Sequence, residues 1–181
     1  MKTTHLYIVP ECYVDTNLVQ ILMQVKGVNH QHSCGQVTNT MQNRFDNSFS
    51  VGVVDNDKKQ SNYSKECLEI AHSNELILCQ HPETHHYLIK IKNIMETFIL
   101  NCAKELGLSL DDLGIKGGID DLKSVTKDED SLNNPQLRKI LKAVSHANEM
   151  TLLAEVLNYL DRTKYNASVA DLQAIFANHG F

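Results

Sequence analysis

The sequence predicts an α/β protein: a mostly parallel sheet flanked by helices, followed by a helical C-terminal region. Three observations carry this. Up to about residue 91, short apolar runs rich in β-formers alternate with segments whose apolar residues recur at helical spacing. One run, "FSVGVV" (49–54), shows little alternation, the pattern of a strand covered on both faces. From Pro135 onward only helical spacing remains.

In chain order, "HLYIVP" is a first strand stopped by Pro10. Leu18, Val19, Leu22, Met23 and Val25 then mark a helix that Gly27 ends. "VNHQHSC" (28–34) reads as a weak strand and "GQVTNTMQNRF" (35–45) as a second helix. After "FSVGVV", "YSKECLEIAHS" (63–73) reads as a third helix and "ELILCQ" (75–80) as a strand. "HHYLIKI" (85–91) is a further strand that can pair with it through the turn at Pro82. "NIMETFILNCAKELG" is a helix closed by Gly107. Residues 109–134 are polar, acidic and broken by glycines, and read as a solvated loop with short helical turns. Three apolar stripes follow: Ile140, Leu141 and Val144; then Leu152 to Leu160; then Val169 to Phe176. Such stripes are most often core, and next most often a homodimer face or a surface for a protein partner. The chain divides into an α/β part, 1–107, and a helical region, 108–181, packed on it.

At 181 residues the chain can bury one sizeable core. A net charge of −5 argues against a nucleic-acid binder working through bulk electrostatics, so any phosphate binding must be local. No apolar run approaches the roughly 18 residues of a membrane span, and the N-terminus meets Glu11 and Asp15 where a signal peptide would carry small residues. The cysteines are odd in number, five, without a CxxC pair, which suits reduced thiols in a cytoplasmic protein rather than a disulfide framework.

Two strands end in acids. The first is followed by Glu11; "FSVGVV" runs into Asp55 and Asp57. In a parallel sheet, ligands bind at the carboxyl ends of the strands. Clustered carboxylates repel unless protons or cations compensate, and Mg²⁺ (or Mn²⁺) favours carboxylate oxygens together with substrate phosphates. Each acid also has a plainer reading. Asp-Asn-Asp after a strand makes a good turn, Glu11 alone is a surface acid, and Asp15 alone is a helix cap.

The joint pattern resembles the TOPRIM domain of topoisomerases, bacterial primases and nucleases of the overcoming-lysogenization-defect type. "LYIVPECYVDTNLVQIL" is similar to that family's first motif, in which Glu ends a strand and an acid often follows four residues later. "FSVGVVDNDKK" is similar to its Asp-x-Asp motif. The resemblance covers roughly residues 4–107. It implies that Glu11 is the catalytic or metal-binding glutamate, that Asp55 and Asp57 bind Mg²⁺, and that Asp15 is the extra acid of the nuclease branch. Glu96 would be an additional acid from a late helix, against an ordinary solvated glutamate. Lys58 and Lys59 would contact a substrate phosphate, against a solvated loop; Lys90 and Lys92 are weaker candidates.

The function so implied is Mg²⁺-dependent phosphodiester hydrolysis on nucleic acid. The alternative is a catalytically silent TOPRIM-like interaction or nucleic-acid-binding module, favoured by the negative charge, by Cys12 where the family usually has Gly, and by the absence of an ATPase segment. A phosphohydrolase with a nucleophilic Asp is disfavoured, because its Asp-x-Asp pair belongs on the first strand. Finally, His30, His32 and Cys34 share one face if 28–34 is a strand, and are competent zinc ligands, though one strand is awkward geometry for a tetrahedron.

Overall fold

The computed structural model describes residues 4–56, 60–116, 118–126 and 129–181. Its centre is a five-stranded sheet: β1 (Ile8–Pro10), β2 (Ser50–Asp55), β3 (Leu68–His72), β4 (Leu76–Gln80) and β5 (His86–Ile91), in the order β1-β2-β5-β4-β3. β1 runs parallel to β2, and β2 parallel to β5. β4 is antiparallel to both β5 and β3.

The sheet is therefore mixed, which corrects the mostly parallel expectation. Only the half that carries Glu11 and Asp55 is parallel. The cause lies in the connections. Residues 73–75 join β3 to β4 and 81–85 join β4 to β5; links that short allow a hairpin, whereas a parallel crossover needs a dozen or more residues. The expected helix over 63–73 is a single turn, α3 (Asn62–Glu66), capped by Ser61 and followed by edge strand β3. Tyr63, Cys67 and Ile70 recur at helical spacing, but pairing with β4 satisfies backbone groups that a helix would leave open on that strand. The weak strand at 28–34 reduces to a parallel bridge between His5 and Val28, with Asn29 N donating to Ile8 O and Gln31 N to Pro10 O.

Side-chain alternation sends each central strand into two cores. Ile8, Val51, Val53, Tyr87, Ile89 and Ile91 face one side; Val9, Val54 and Leu88 face the other. β2 is thus covered on both faces, as its lack of alternation predicts. The second face is closed by α3 and by α2 (Cys34–Thr40), which continues into a π-helical turn, Met41–Phe45. Here Gly52 is required by close approach: a Cβ on it would stand 2.7 Å from Leu88 Cδ1, 2.8 Å from Met41 Sδ and 2.9 Å from Val37 Cγ1.

The first face carries the remaining helices. They are α1 (Tyr13–Met23), α4 (Met95–Glu105), α5 (Ile119–Thr126), α6 (Pro135–Val144), α7 (Asn148–Thr163) and α8 (Val169–Asn178). α4 ends before Gly107, whose φ is +68°. α6 starts with Pro135 behind Asn134, whose side chain accepts from Gln136 N and Leu137 N. α6 and α7 pack on α1, and the three C-terminal stripes, apart from half-buried Val169, are buried in the same core as the sheet. Asn17, fully buried on α1, ties the halves together by donating to Ser131 O and accepting from Arg138. All five cysteines are in thiol form. Among the described residues, no helix is long and apolar enough to cross a membrane.

Candidate functional site

The parallel half of the sheet brings two chain-distant acids together. Glu11 N donates to Val53 O at 2.9 Å, which keeps the residue after β1 in register with β2. Its side chain then turns across the strand end, and Glu11 Oε2 accepts from Asp55 N at 3.1 Å. Asp57, Lys58 and Lys59 lie outside the described residues.

Asp15 sits one helical turn beyond, in the first turn of α1 and fully buried. Oδ2 accepts from Cys12 N at 3.1 Å, while Asp15 N donates to Cys12 Sγ at 3.5 Å, a reciprocal capping box. Cys12 has extended backbone, φ −135° and ψ 178°, so no glycine is needed at this turn. Asp15 Oδ1 is buried and has no hydrogen-bond partner among the described residues. Burial above all, and then the neighbouring Asp55 and Glu11 carboxylates, hold the Asp15 carboxyl well above the usual range.

Beside these acids lies a cavity of about 530 Å³. Asp55 and the start of α1 (Cys12, Tyr13, Val14) line one side; His30–His32 form a second wall; Ile94, Met95 and Glu96 at the start of α4 form a third, joined by Lys123 and Thr126 of α5. Glu96 is not a solvated glutamate. It is buried and accepts from Thr126 Oγ1 at 2.5 Å, at a helix start where Ile94 supplies no side-chain cap. The helix N-terminus favours a carboxylate there.

The other candidates are engaged elsewhere. Lys90 is buried on the second face, donating to Gln60 Oε1 and Ser64 O. Lys92 donates to Ser73 O at 2.5 Å. His30 and His32 have ring centroids 4.8 Å apart, but Cys34 is the buried first residue of α2 in the second core. The three expected to share a strand face are split because the strand pattern ends before Cys34.

Tyr13, Lys123 and Thr126 line the cavity without having been singled out in the sequence. Tyr13 had one signal, its place two residues after Glu11. Lys123 and Thr126 had none, since they belong to a stretch whose composition reads as solvated loop.

Chemically, Glu11 and Asp55 at the strand ends offer oxygen donors, the kind that suits Mg²⁺, and Asp15 Oδ1, without a partner among the described residues, is an atom that a proton or a cation would satisfy. Among the described residues, no group of three or more His, Cys, Asp or Glu side chains is placed to hold a metal ion. Comparison with family models, with curated proteins and with solved structures finds no match to this chain.

Proposed function

We propose that the chain is a TOPRIM-like, Mg²⁺-dependent nuclease that hydrolyses phosphodiester bonds at the carboxyl ends of β1 and β2. The observation that supports this is the reach of Glu11 from one strand end to the backbone of Asp55 on the next, with the buried Asp15 behind them. Asp55 and Glu11 would hold the cation, together with Asp57 from the adjoining segment. Bound Mg²⁺ would polarise the phosphoryl group and stabilise the leaving oxygen. Glu11 would take the proton of the attacking water as its oxygen bonds to phosphorus and the ester P–O bond breaks; the departing oxygen is protonated from solvent. Asp15 would act through Cys12, fixing the start of α1 and so the turn that carries Glu11.

The test is cleavage of end-labelled single- and double-stranded oligonucleotides with Mg²⁺, with Mn²⁺ and with chelator. Metal-dependent cleavage that disappears in Glu11→Gln supports the reading. No cleavage with either metal, or cleavage that survives Glu11→Gln, overturns it. A silent interaction module is favoured by a different observation: Glu11 Oε2 and Asp15 Oδ2 already serve backbone N–H groups.

A further inference from the structure

We infer that the rings of Tyr13, His30 and His32 form a stacking platform for one unpaired nucleobase, so that the site takes single-stranded rather than duplex nucleic acid. This rests on the nucleic-acid reading above.

Tyr13 and His30 stack face to face, with centroids 4.1 Å apart and planes 18° from parallel. His32 stands across them, at 89° to His30 and 73° to Tyr13. The three rings make a corner on the wall of the cavity that also contains Asp55. Ile94, 41 % exposed although apolar, lines the same cavity. A flat heteroaromatic ring bounded by aromatic faces and an aliphatic side chain is a combination that base recognition uses, and it is tolerant of sequence because every base presents a π-face.

The corner is held in place without a ligand. Gln31 N donates to Pro10 O, and His32 N to Gln36 Oε1. Thr16 Oγ1 gives its proton to Cys12 O at 2.8 Å. It must therefore accept from His30 Nδ1, 2.9 Å away. That fixes the tautomer: Nδ1 carries the hydrogen, and Nε2, without a partner among the described residues, is an acceptor. Burial, then the nearby His32, lower the proton affinity of the His30 imidazole. The His32 ring is exposed and has no hydrogen-bond partner among the described residues.

Size decides between single strand and duplex. A cavity of about 530 Å³ lies in the range that encloses one small ligand, roughly a nucleotide. A paired base could reach the rings only by leaving its stack, which costs unpairing energy.

Fluorescence anisotropy with a labelled single strand, the same strand as a duplex, and strands with one abasic position tests this, with Ca²⁺ in place of Mg²⁺. The expected result is single-strand binding about tenfold or more tighter than duplex binding. A similar loss is expected in Tyr13→Ala and His32→Ala and for an abasic site at one position, with Tyr13→Phe retaining affinity. His32 is exposed, so His32→Ala keeps the fold whatever Tyr13→Ala does. Equal affinity for duplex and single strand, or variants that bind like the wild type, overturns the platform and leaves the nuclease reading standing. Absence of binding to either strand form overturns both.

Discussion

Strand β1 meets a carboxylate near each of its ends, one half-buried and one fully buried, and the two are treated differently. Below its N-terminal end, Asp161 of α7 accepts from His5 Nδ1 at 3.1 Å and from the Tyr7 hydroxyl, and Lys164 Nζ lies 4.6 Å from the Tyr7 ring centroid. The acid has two donors, and it serves to fasten α7 to the sheet. Beyond the C-terminal end, Asp15 has one oxygen without a partner among the described residues and two further carboxylates, Asp55 and Glu11, close enough to raise its proton affinity. The lesson is that this fold can satisfy an acid when stability is all that is asked. At the other end carboxylates lie near one another, and a bound cation would lower their mutual repulsion.

The largest expected effect is at the carboxylate-rich end. Glu11→Gln and Asp55→Asn should each lower metal-dependent cleavage by about 10²-fold or more with the far-ultraviolet circular dichroism unchanged. The mirror change at the compensated end, Asp161→Ala, should cost about 2 kcal/mol in denaturant unfolding, because it removes an ionised acceptor from two partly buried donors. Cleavage should be unaffected. A change at neither end calibrates both. Gly52→Ala should cost about 1 kcal/mol by overpacking β2 against α2, since the atoms met are side-chain ends able to shift.

The smallest effect is the sharpest in sign. Asp15 has a folded-state proton affinity above its unfolded one. Its contribution to stability is complete below the ordinary carboxylate range and is lost as pH rises through the raised folded value. Asp15→Asn keeps an oxygen for Cys12 N and carries no charge. Thermal unfolding across pH should therefore show a decline in the wild type that the variant flattens. An identical slope in both would mean that Asp15 is not strained by its neighbours.

These ends were unequally legible in the sequence. Glu11 and Asp55 could be read because both directly follow apolar runs, and strand ends in a parallel arrangement converge. The strand "FSVGVV" could be read because burial on two faces removes alternation. The β3–β4–β5 meander could not, since Tyr63, Cys67 and Ile70 fit a helix as well as a turn and an edge strand, and only pairing with β4 decides. For Glu96 the sequence leaves an additional site acid and a solvated glutamate both open, because its partner, Thr126, is thirty residues away in an acidic stretch. Yet Leu113, Ile115 and Leu122 of that stretch are buried in the main core. Local composition does not report a packing partner supplied by a distant segment. The compensated end was invisible for the same reason, with Asp161 lying 156 residues from His5.

The central claim, that the acids at the ends of β1 and β2 are compensated by a cation, is tested most directly by thermal unfolding of the wild type and of Asp55→Ala/Asp57→Ala, each with and without Mg²⁺. A ligand that binds only the native state must stabilise it, by about 2.7 kcal/mol at a hundred times its Kd. The wild type is expected to melt several degrees higher with Mg²⁺, and the double variant to melt at the same temperature with or without it, no lower than the metal-free wild type. A wild type indifferent to Mg²⁺, together with a double variant that is simply less stable, would contradict the account and make "VVDND" a turn.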